Sequence, residues 1–299
     1  AVLTTTQTEV ITSAQAGALR SSQLSDITTA ALAALSTAAV AALSTAVVGG
    51  LSTTGVEALG TSQIVALRTA QVAAMSTGQI AVLTSNQAVV LETTDIAALR
   101  TAQVAALSTT NLIELSTSQI QALTTAGVAA LGTTGSSTLS TTQIEALKTA
   151  QVAALTTGQV LELTSNQVVV METADVAALR TAQVAALSTT NLVEMSTSQV
   201  QAFGTAVIAS LSTGQIAVLT TTQAEVLTSA QAAALRSSQV SDIATNTLAA
   251  LGTSAVSALS TAVVAALSTT GVEALGTSQI VALRTAQVAA MSTGQIAVL

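Results

Sequence analysis

An eight-residue repeat runs through the whole chain without slipping out of frame, and residues 61–84 read TSQIVALR, TAQVAAMS, TGQIAVLT. We label the positions a to h, with a at residues 5, 13 and so on to 293 and g at residues 3, 11 and so on to 299. Position a is Ser or Thr in all 37 octads, and position g is a large apolar residue in all 38 cases. Position d is apolar in 35 of 37 octads, and position c is Gln in 22 of 37. Such regularity predicts a solenoid in which each octad packs against its neighbours.

Longer repeats lie on top of the octads, and residues 51–83 are identical to residues 267–299. No low-complexity linker interrupts the frame. We therefore expect a single continuous octapeptide-repeat array over residues 1–299. Because the array begins and ends within an octad, we expect it to be a segment of a longer chain.

The spacing of the apolar positions favours helix over strand. Positions d and g are three residues apart, so they share one side of a helix but point to opposite faces of a strand. A continuous helix is excluded, because eight residues leave the apolar stripe rotated by about 80° per octad. The sequence predicts an all-α solenoid of very short helices, about 1.5 turns each, with one helix per octad. The alternative is a β-solenoid with about three octads per coil and both faces covered.

Positions h and a carry a helix-capping pattern, but the sequence does not decide which of the two is the N-cap. The S-x-x-Q segments at 76–79, 116–119, 140–143 and 292–295 are typical of capping boxes. Where h is Arg or Gly, as at Arg68 and Gly60, the Thr at position a is expected to cap instead.

The residue types at position h also indicate that a helix ends there. All seven basic residues stand there, where a cation complements the free carbonyls at a helix end. Five glycines share the position and are expected to adopt the left-handed conformation of a C-terminal residue. Each lies a multiple of three octads from the others, which suggests three octads per turn. These glycines are Gly60, Gly132, Gly204, Gly252 and Gly276.

Composition removes most enzyme classes. The chain has no His and no Cys, so it lacks an imidazole base, a thiolate and soft metal ligands. A net charge of −7 with only seven basic residues excludes a phosphate-binding surface, and no nucleic-acid partner is expected. Apolar runs of six residues are too short for a membrane span, which needs about 20. We predict no catalytic, cofactor-binding or metal-binding residues and no cofactor.

Two acidic pairs are candidate sites: Glu92 with Asp95, and Glu172 with Asp175. A Ca²⁺ site would need six to eight oxygen ligands, and no calcium-binding loop accompanies either pair. We interpret the pairs as first-turn acids at helix N-termini. The Met residues of position g are interpreted as core residues.

The octads of residues 61–84 resemble the LTTxQIxAL arrays of very long bacterial secreted or surface proteins, some of them adhesion-related exoproteins. The resemblance extends over essentially the whole chain and implies an extracellular or cell-surface location. It implies a non-enzymatic structural protein that forms an extended rod, filament, matrix component or stalk.

We expect self-association of such arrays into fibres or bundles, laterally or end to end. The alternative function is a surface-recognition module, an adhesin that binds glycans or ice through the regular Ser/Thr column of position a. Capping by position a would account for the same column.

Overall fold

A computed structural model of the protein describes residues 3–24, 27–241 and 243–299. The chain consists of two compact units, Ala1–Ala154 (unit 1) and Leu155–Leu299 (unit 2), and each is described by itself. The predicted array starts at Ala1, which lies outside the described residues.

In unit 1 the described residues form 19 short α-helices, one for each octad from residue 5 onward. They are α1 (Thr5–Glu9), α2 (Ser13–Gly17), α3 (Ser21–Leu24), α4 (Thr29–Ala33), α5 (Thr37–Ala42), α6 (Thr45–Gly49), α7 (Thr53–Glu57), α8 (Thr61–Val65), α9 (Thr69–Ala74), α10 (Thr77–Ala81), α11 (Ser85–Ala88), α12 (Thr93–Ala98), α13 (Thr101–Val104), α14 (Thr109–Glu114), α15 (Thr117–Ala122), α16 (Thr125–Ala130), α17 (Gly132–Thr138), α18 (Thr141–Glu145) and α19 (Thr149–Ala154).

In unit 2 the described residues form 17 α-helices and one 3₁₀ helix, Ser237–Gln239. The α-helices are α20 (Thr157–Leu161), α21 (Ser165–Val169), α22 (Thr173–Ala178), α23 (Thr181–Ala186), α24 (Thr189–Glu194), α25 (Thr197–Gln201), α26 (Thr205–Ser210), α27 (Thr213–Ala217), α28 (Thr221–Glu225), α29 (Ser229–Ala234), α30 (Thr245–Ala250), α31 (Thr253–Ala258), α32 (Thr261–Ala266), α33 (Thr269–Glu273), α34 (Thr277–Ala282), α35 (Thr285–Ala289) and α36 (Thr293–Ile296).

Each unit is an α-solenoid, which confirms the predicted fold class. No strand occurs in the part of the chain that the structure describes, so the β-solenoid alternative is wrong. Helices of four to seven residues cannot stand alone in water, because the first turn is costly to nucleate. Their stability therefore comes from packing against other octads.

Two extended residues separate α5 from α6. Leu43, at position g, has φ −55° and ψ 144°, and Ser44, at position h, has φ −72° and ψ 157°. The helix α6 then begins at Thr45. The chain bends at g and h in this way, which explains why the apolar stripe does not drift around a long helix.

The core is built from positions c, d and g. Ile80 at d is 0% exposed and Leu83 at g is 4% exposed, so the two apolar columns face the same interior as predicted. The methionines and Phe203 of position g are buried there too. Where d is polar, the side chain bonds within its own helix: the Thr8 hydroxyl donates to the Thr5 carbonyl at 2.8 Å, and the Ser136 hydroxyl donates to the Thr133 carbonyl at 2.9 Å.

Three octads make one coil of the solenoid. Within unit 1, α6 packs on α9, α9 on α12 and α12 on α15, so helices three octads apart lie against each other. This agrees with the three-octad spacing of the glycines at position h.

Wherever the N-cap is described, position h is the N-cap of the following helix, except at α17, which begins at Gly132 itself with Leu131 as N-cap; this corrects the expectation that helices end at position h. Gly60, Gly204, Gly252 and Gly276 are extended N-cap residues with φ between −61° and −73°, so the expected left-handed conformation is wrong for them. Gly132 alone among the described residues has a positive φ, of 70°, and there the expectation is right.

Candidate functional site in the glutamine column

The glutamine column is the set of Gln side chains at position c, and Gln79 shows its geometry. Its Oε1 accepts the backbone N–H of Ser76 at 2.7 Å, and its own N–H donates to the Ser76 hydroxyl at 3.2 Å. This is the predicted capping box. Its Nε2 donates to the carbonyls of Val48 and Leu51, at 2.8 Å each, in the preceding coil. One amide thus caps its own helix and binds the end of another.

The same two cross-coil bonds recur throughout both units, to carbonyls at positions d and g of the octad that lies four octads earlier, which is one coil and one octad back along the chain. In unit 1 they are made by Gln63, Gln71, Gln79, Gln87, Gln103, Gln119, Gln143 and Gln151. In unit 2 they are made by Gln199, Gln215, Gln223, Gln231, Gln239, Gln279, Gln287 and Gln295.

These bonds pair backbone groups that would otherwise lack partners at the ends of every short helix. A helix leaves its first N–H groups and its last C=O groups without partners inside the helix. In helices this short, nearly every backbone group belongs to an end. The glutamine column supplies an acceptor at the N-terminus of its own helix and donors at the C-terminus of a helix four octads earlier, inside a core where unmade bonds are costly.

Shorter side chains at position c reach only the carbonyl of position g. Asn111 Nδ2 donates to the Leu83 carbonyl at 2.8 Å, and the Thr247 hydroxyl donates to the Leu219 carbonyl at 3.2 Å. Every buried side-chain N or O atom in the described residues has a hydrogen-bond partner.

Asp95 stands at position c in place of Gln, although an ionised carboxylate cannot donate a hydrogen bond. It is 2% exposed and lies in the first turn of α12, where its Oδ2 accepts the N–H of the N-cap Glu92 at 3.2 Å. Burial raises the pKa of the Asp95 carboxyl above its ordinary value of 3.8, while hydrogen bonds from the Thr69 hydroxyl and the Glu92 N–H oppose that rise. Asp175 is equally buried in the first turn of α22, with Glu172 as N-cap. Asp95 and Asp175 are thus first-turn acids as interpreted, whereas Glu92 and Glu172 are N-cap residues whose side chains make no capping bond.

The basic side chains of position h also reach across to the preceding coil. The Nη2 atom of Arg68 donates to the Leu43 carbonyl at 2.9 Å, and that of Arg284 donates to the Leu259 carbonyl at 2.9 Å. Both carbonyls belong to helix C-cap residues. The predicted contact between cation and helix C-terminus exists, but it is made to a different helix from the expected one.

The Ser/Thr column of position a does not cap the helices, which corrects the sequence prediction. At Gly60 and Arg68 the residue at h remains the N-cap, and the N–H of Gln63 and of Gln71 bonds to its carbonyl at 2.9 and 2.7 Å. The position-a residues begin every described helix except α17, which begins at Gly132, and their side chains are exposed or half-buried in every described octad. They are therefore accessible to solvent.

Metal-binding clusters and membrane-spanning helices are both missing from the part of the chain that the structure describes. Those residues contain no cluster of three or more His, Cys, Asp or Glu arranged to hold a metal ion. None of their helices has the length and apolar character needed to cross a bilayer.

Sequence reasoning found the capping half of the glutamine column and missed the cross-coil half. The signal was the burial implied by the frequent Gln, in 22 of 37 octads, at a position beside two apolar columns. A Gln needed only as a cap would be replaced freely by other polar residues on an exposed surface.

Comparison with known proteins identifies the repeat. A family described as the ALTTAQ repeat matches residues 32–69, 56–93, 88–125, 96–133, 137–165, 168–205 and 272–299, about two thirds of the chain. The six letters of that description correspond to position f of one octad through position c of the next, as in residues 66–71, ALRTAQ. They therefore cover the bend, the N-cap and the glutamine. A search of curated proteins returns no significant match.

Proposed function

The chain belongs to the ALTTAQ repeat family, and from that premise we propose that it is a non-enzymatic structural protein of bacterial extracellular filaments, matrix or stalks. Such proteins act through regular surfaces presented many times, and self-association into fibres or bundles is the expected mode of action.

The proposal rests on the hydrogen bonds that the buried polar side chains make. In both units the side chains of the glutamine column cap helices and join one coil to the next. The buried polar groups of each octad therefore stabilise the contact between successive coils. Nothing in that arrangement limits the number of coils, and a stability summed over neighbouring repeats suits a protein whose function depends on length.

Electron microscopy of the chain at increasing concentration tests the proposal. We expect fibres or bundles whose number grows with concentration, and fractionation of the producing cells should place the protein at the surface or in the medium. Compact monomers at high concentration, or a protein confined to the cell interior, would contradict it.

A second candidate function is favoured by the exposure of the position-a side chains. Because position h caps the helices, the Ser/Thr column is left for contacts with a surface such as a glycan or ice. Glycan pull-down and thermal-hysteresis measurements test this candidate, and no signal in either assay would remove it.

A further inference from the structure

An apolar stripe lies on one face of unit 1 and consists of Val65, Val89 and Ile113. These residues stand at position e of three octads whose helices, α8, α11 and α14, pack one on another in successive coils. Their side chains are 47%, 40% and 51% exposed. The other e positions of unit 1 hold Ala, Gly, Ser, Gln or Glu, so the large aliphatic residues of this position all fall on one face, three octads apart.

The stripe has opposite charges at its two ends. Arg68 follows Val65 by three residues and Glu114 follows Ile113 directly, and both charged side chains are exposed. A shallow groove beside the first end is lined by Thr37, Thr61, Ser62, Val65, Ala66 and Val90. The stripe is therefore apolar along its length, basic at one end and acidic at the other.

We propose that the apolar stripe binds the same stripe of a second copy of this chain, with the two stripes antiparallel. The inference rests on the proposed self-association and names the surface that performs it. A second copy carries apolar residues at the same coil spacing, so the two rows match over their whole length. A two-fold axis then places Val89 against Val89 of the second copy and Val65 against Ile113 of the second copy.

Charge complementarity selects the antiparallel arrangement. It brings Arg68 of each copy to the level of Glu114 of the other, which forms two opposite-charge pairs. A parallel arrangement sets like charges at the same level at both ends. The exposed Glu92 side chains of the two copies meet near the axis, and this one like-charge pair opposes the two Arg68–Glu114 pairs and weakens the contact.

The contact is weak for an isolated pair of chains. Three half-exposed aliphatic side chains provide far less than the roughly 800 Å² that each partner buries in a stable complex. Association through the stripe therefore depends on protein concentration, and it adds lateral contacts to chains already held close together.

Single cysteine variants test the pairing directly, because the chain has no natural Cys. Under mild oxidation Val89→Cys should form a disulfide-linked dimer, and a mixture of Val65→Cys with Ile113→Cys should form the mixed dimer, since a disulfide requires Cα atoms within about 7 Å. Ala81→Cys is the matched control, exposed at position e of α10 on another face. Equal linking of the control, or preferential linking of Val65→Cys to itself, overturns the proposal.

Charge reversal provides an independent test by analytical ultracentrifugation. Arg68→Glu and Glu114→Arg should each weaken self-association about tenfold, because each homodimer then contains two like-charge pairs. A one-to-one mixture of the two variants should restore association, because both pairs become opposite in the mixed dimer. Circular dichroism confirms that each variant is folded. A mixture that associates no better than either variant alone contradicts the antiparallel pairing.

The two proposals fail in different ways. If the unmodified chain forms fibres while the cysteine and charge variants behave like their controls, the stripe is the wrong surface and the structural function stands. If the unmodified chain remains monomeric at every concentration, both proposals fail.

Discussion

At the scale of single residues, the glutamine column concentrates stability in one side chain per octad. Gln79 is 1% exposed and makes hydrogen bonds with two helix ends at once. Val48 keeps a second partner, because its carbonyl also accepts the Leu51 N–H at 3.2 Å. The Leu51 carbonyl and the Ser76 N–H depend much more on the glutamine, so its loss leaves one buried carbonyl and one partly buried N–H without their bonds.

We predict that Gln79→Ala lowers the free energy of unfolding by about 2–4 kcal/mol, since each buried group left unpaired costs about 1–3 kcal/mol. Gln79→Asn should cost less, because Asn111 shows that an Asn still reaches the carbonyl of position g. Gln121→Ala, at an exposed position of α15, is the control and should change stability by less than about 0.5 kcal/mol. Urea titrations measure all three. Equal effects of Gln79→Ala and Gln121→Ala would show that the cross-coil bonds add no stability.

Asp95 gives the array a pH dependence of defined sign. Burial raises the pKa of its carboxyl above 3.8, so the folded chain holds the proton more tightly than the unfolded chain. The stabilising contribution is complete below the unfolded pKa and is lost as pH rises through the folded pKa. We therefore expect wild type to lose stability relative to Asp95→Asn as pH rises from about 3 to about 7.

Matched unfolding curves of wild type and Asp95→Asn at several pH values measure this difference. Asn111→Asp is a second check, because it places a carboxyl at the same position of another octad and should introduce the same pH dependence. A stability difference between wild type and Asp95→Asn that stays constant with pH, or that changes in favour of wild type as pH rises, would contradict the assignment.

At the scale of the helix, position h decides how each octad begins. Ser76 caps with its hydroxyl, whereas Gly60 has no side chain to do so, although its φ of −69° suits any residue. Gly132 stands at the same octad position with φ of 70°, a conformation in which a side chain is strained. The two glycines therefore respond oppositely to one substitution.

We predict that Gly60→Ser stabilises the protein by about 0.5–1 kcal/mol, because it adds a cap and reduces the freedom of the unfolded chain. A Cβ at residue 60 meets only Gln63 Oε1 at 3.7 Å, an ordinary contact. Gly132→Ser should instead destabilise by about 1–2 kcal/mol through left-handed strain. Thermal unfolding of both variants measures the two signs. Two shifts of the same sign would mean that backbone conformation does not govern position h.

The fold class could be predicted from the sequence because the argument needed only local geometry. Val72 and Met75 lie three residues apart and are both buried, as a helical turn requires. The role of position h could not be predicted, because in an array of such short helices one residue stands at the end of one helix and at the start of the next. The cross-coil bonds of Gln79 were also hidden. Their partners are set by the pitch of the coil, whereas the repeat pattern specifies only the octad.

At the scale of the whole molecule, residues at the same octad position lie on one face of the solenoid when they are three octads apart, because three octads make one coil. Val65, Val89 and Ile113 share a face only because three octads return the chain to the same side. An insertion or deletion of one octad keeps every capping box intact but moves all later octads to the next face. Folding tolerates such a change much better than any function that depends on the alignment of a face.

Deletion of residues 101–108, TAQVAALS, tests this separation. The octad lies between Val89 and Ile113, so its removal moves Ile113 off the apolar stripe by one third of a coil. We predict that the shortened chain keeps its helical circular dichroism and loses self-association through the stripe, measured as disulfide capture in a Val89→Cys background. Deletion of residues 117–124, TSQIQALT, removes one octad beyond the stripe and should leave capture unchanged. If both deletions reduced capture equally, alignment of the face would not govern association, because each chain lacks one octad and only the first deletion moves Ile113.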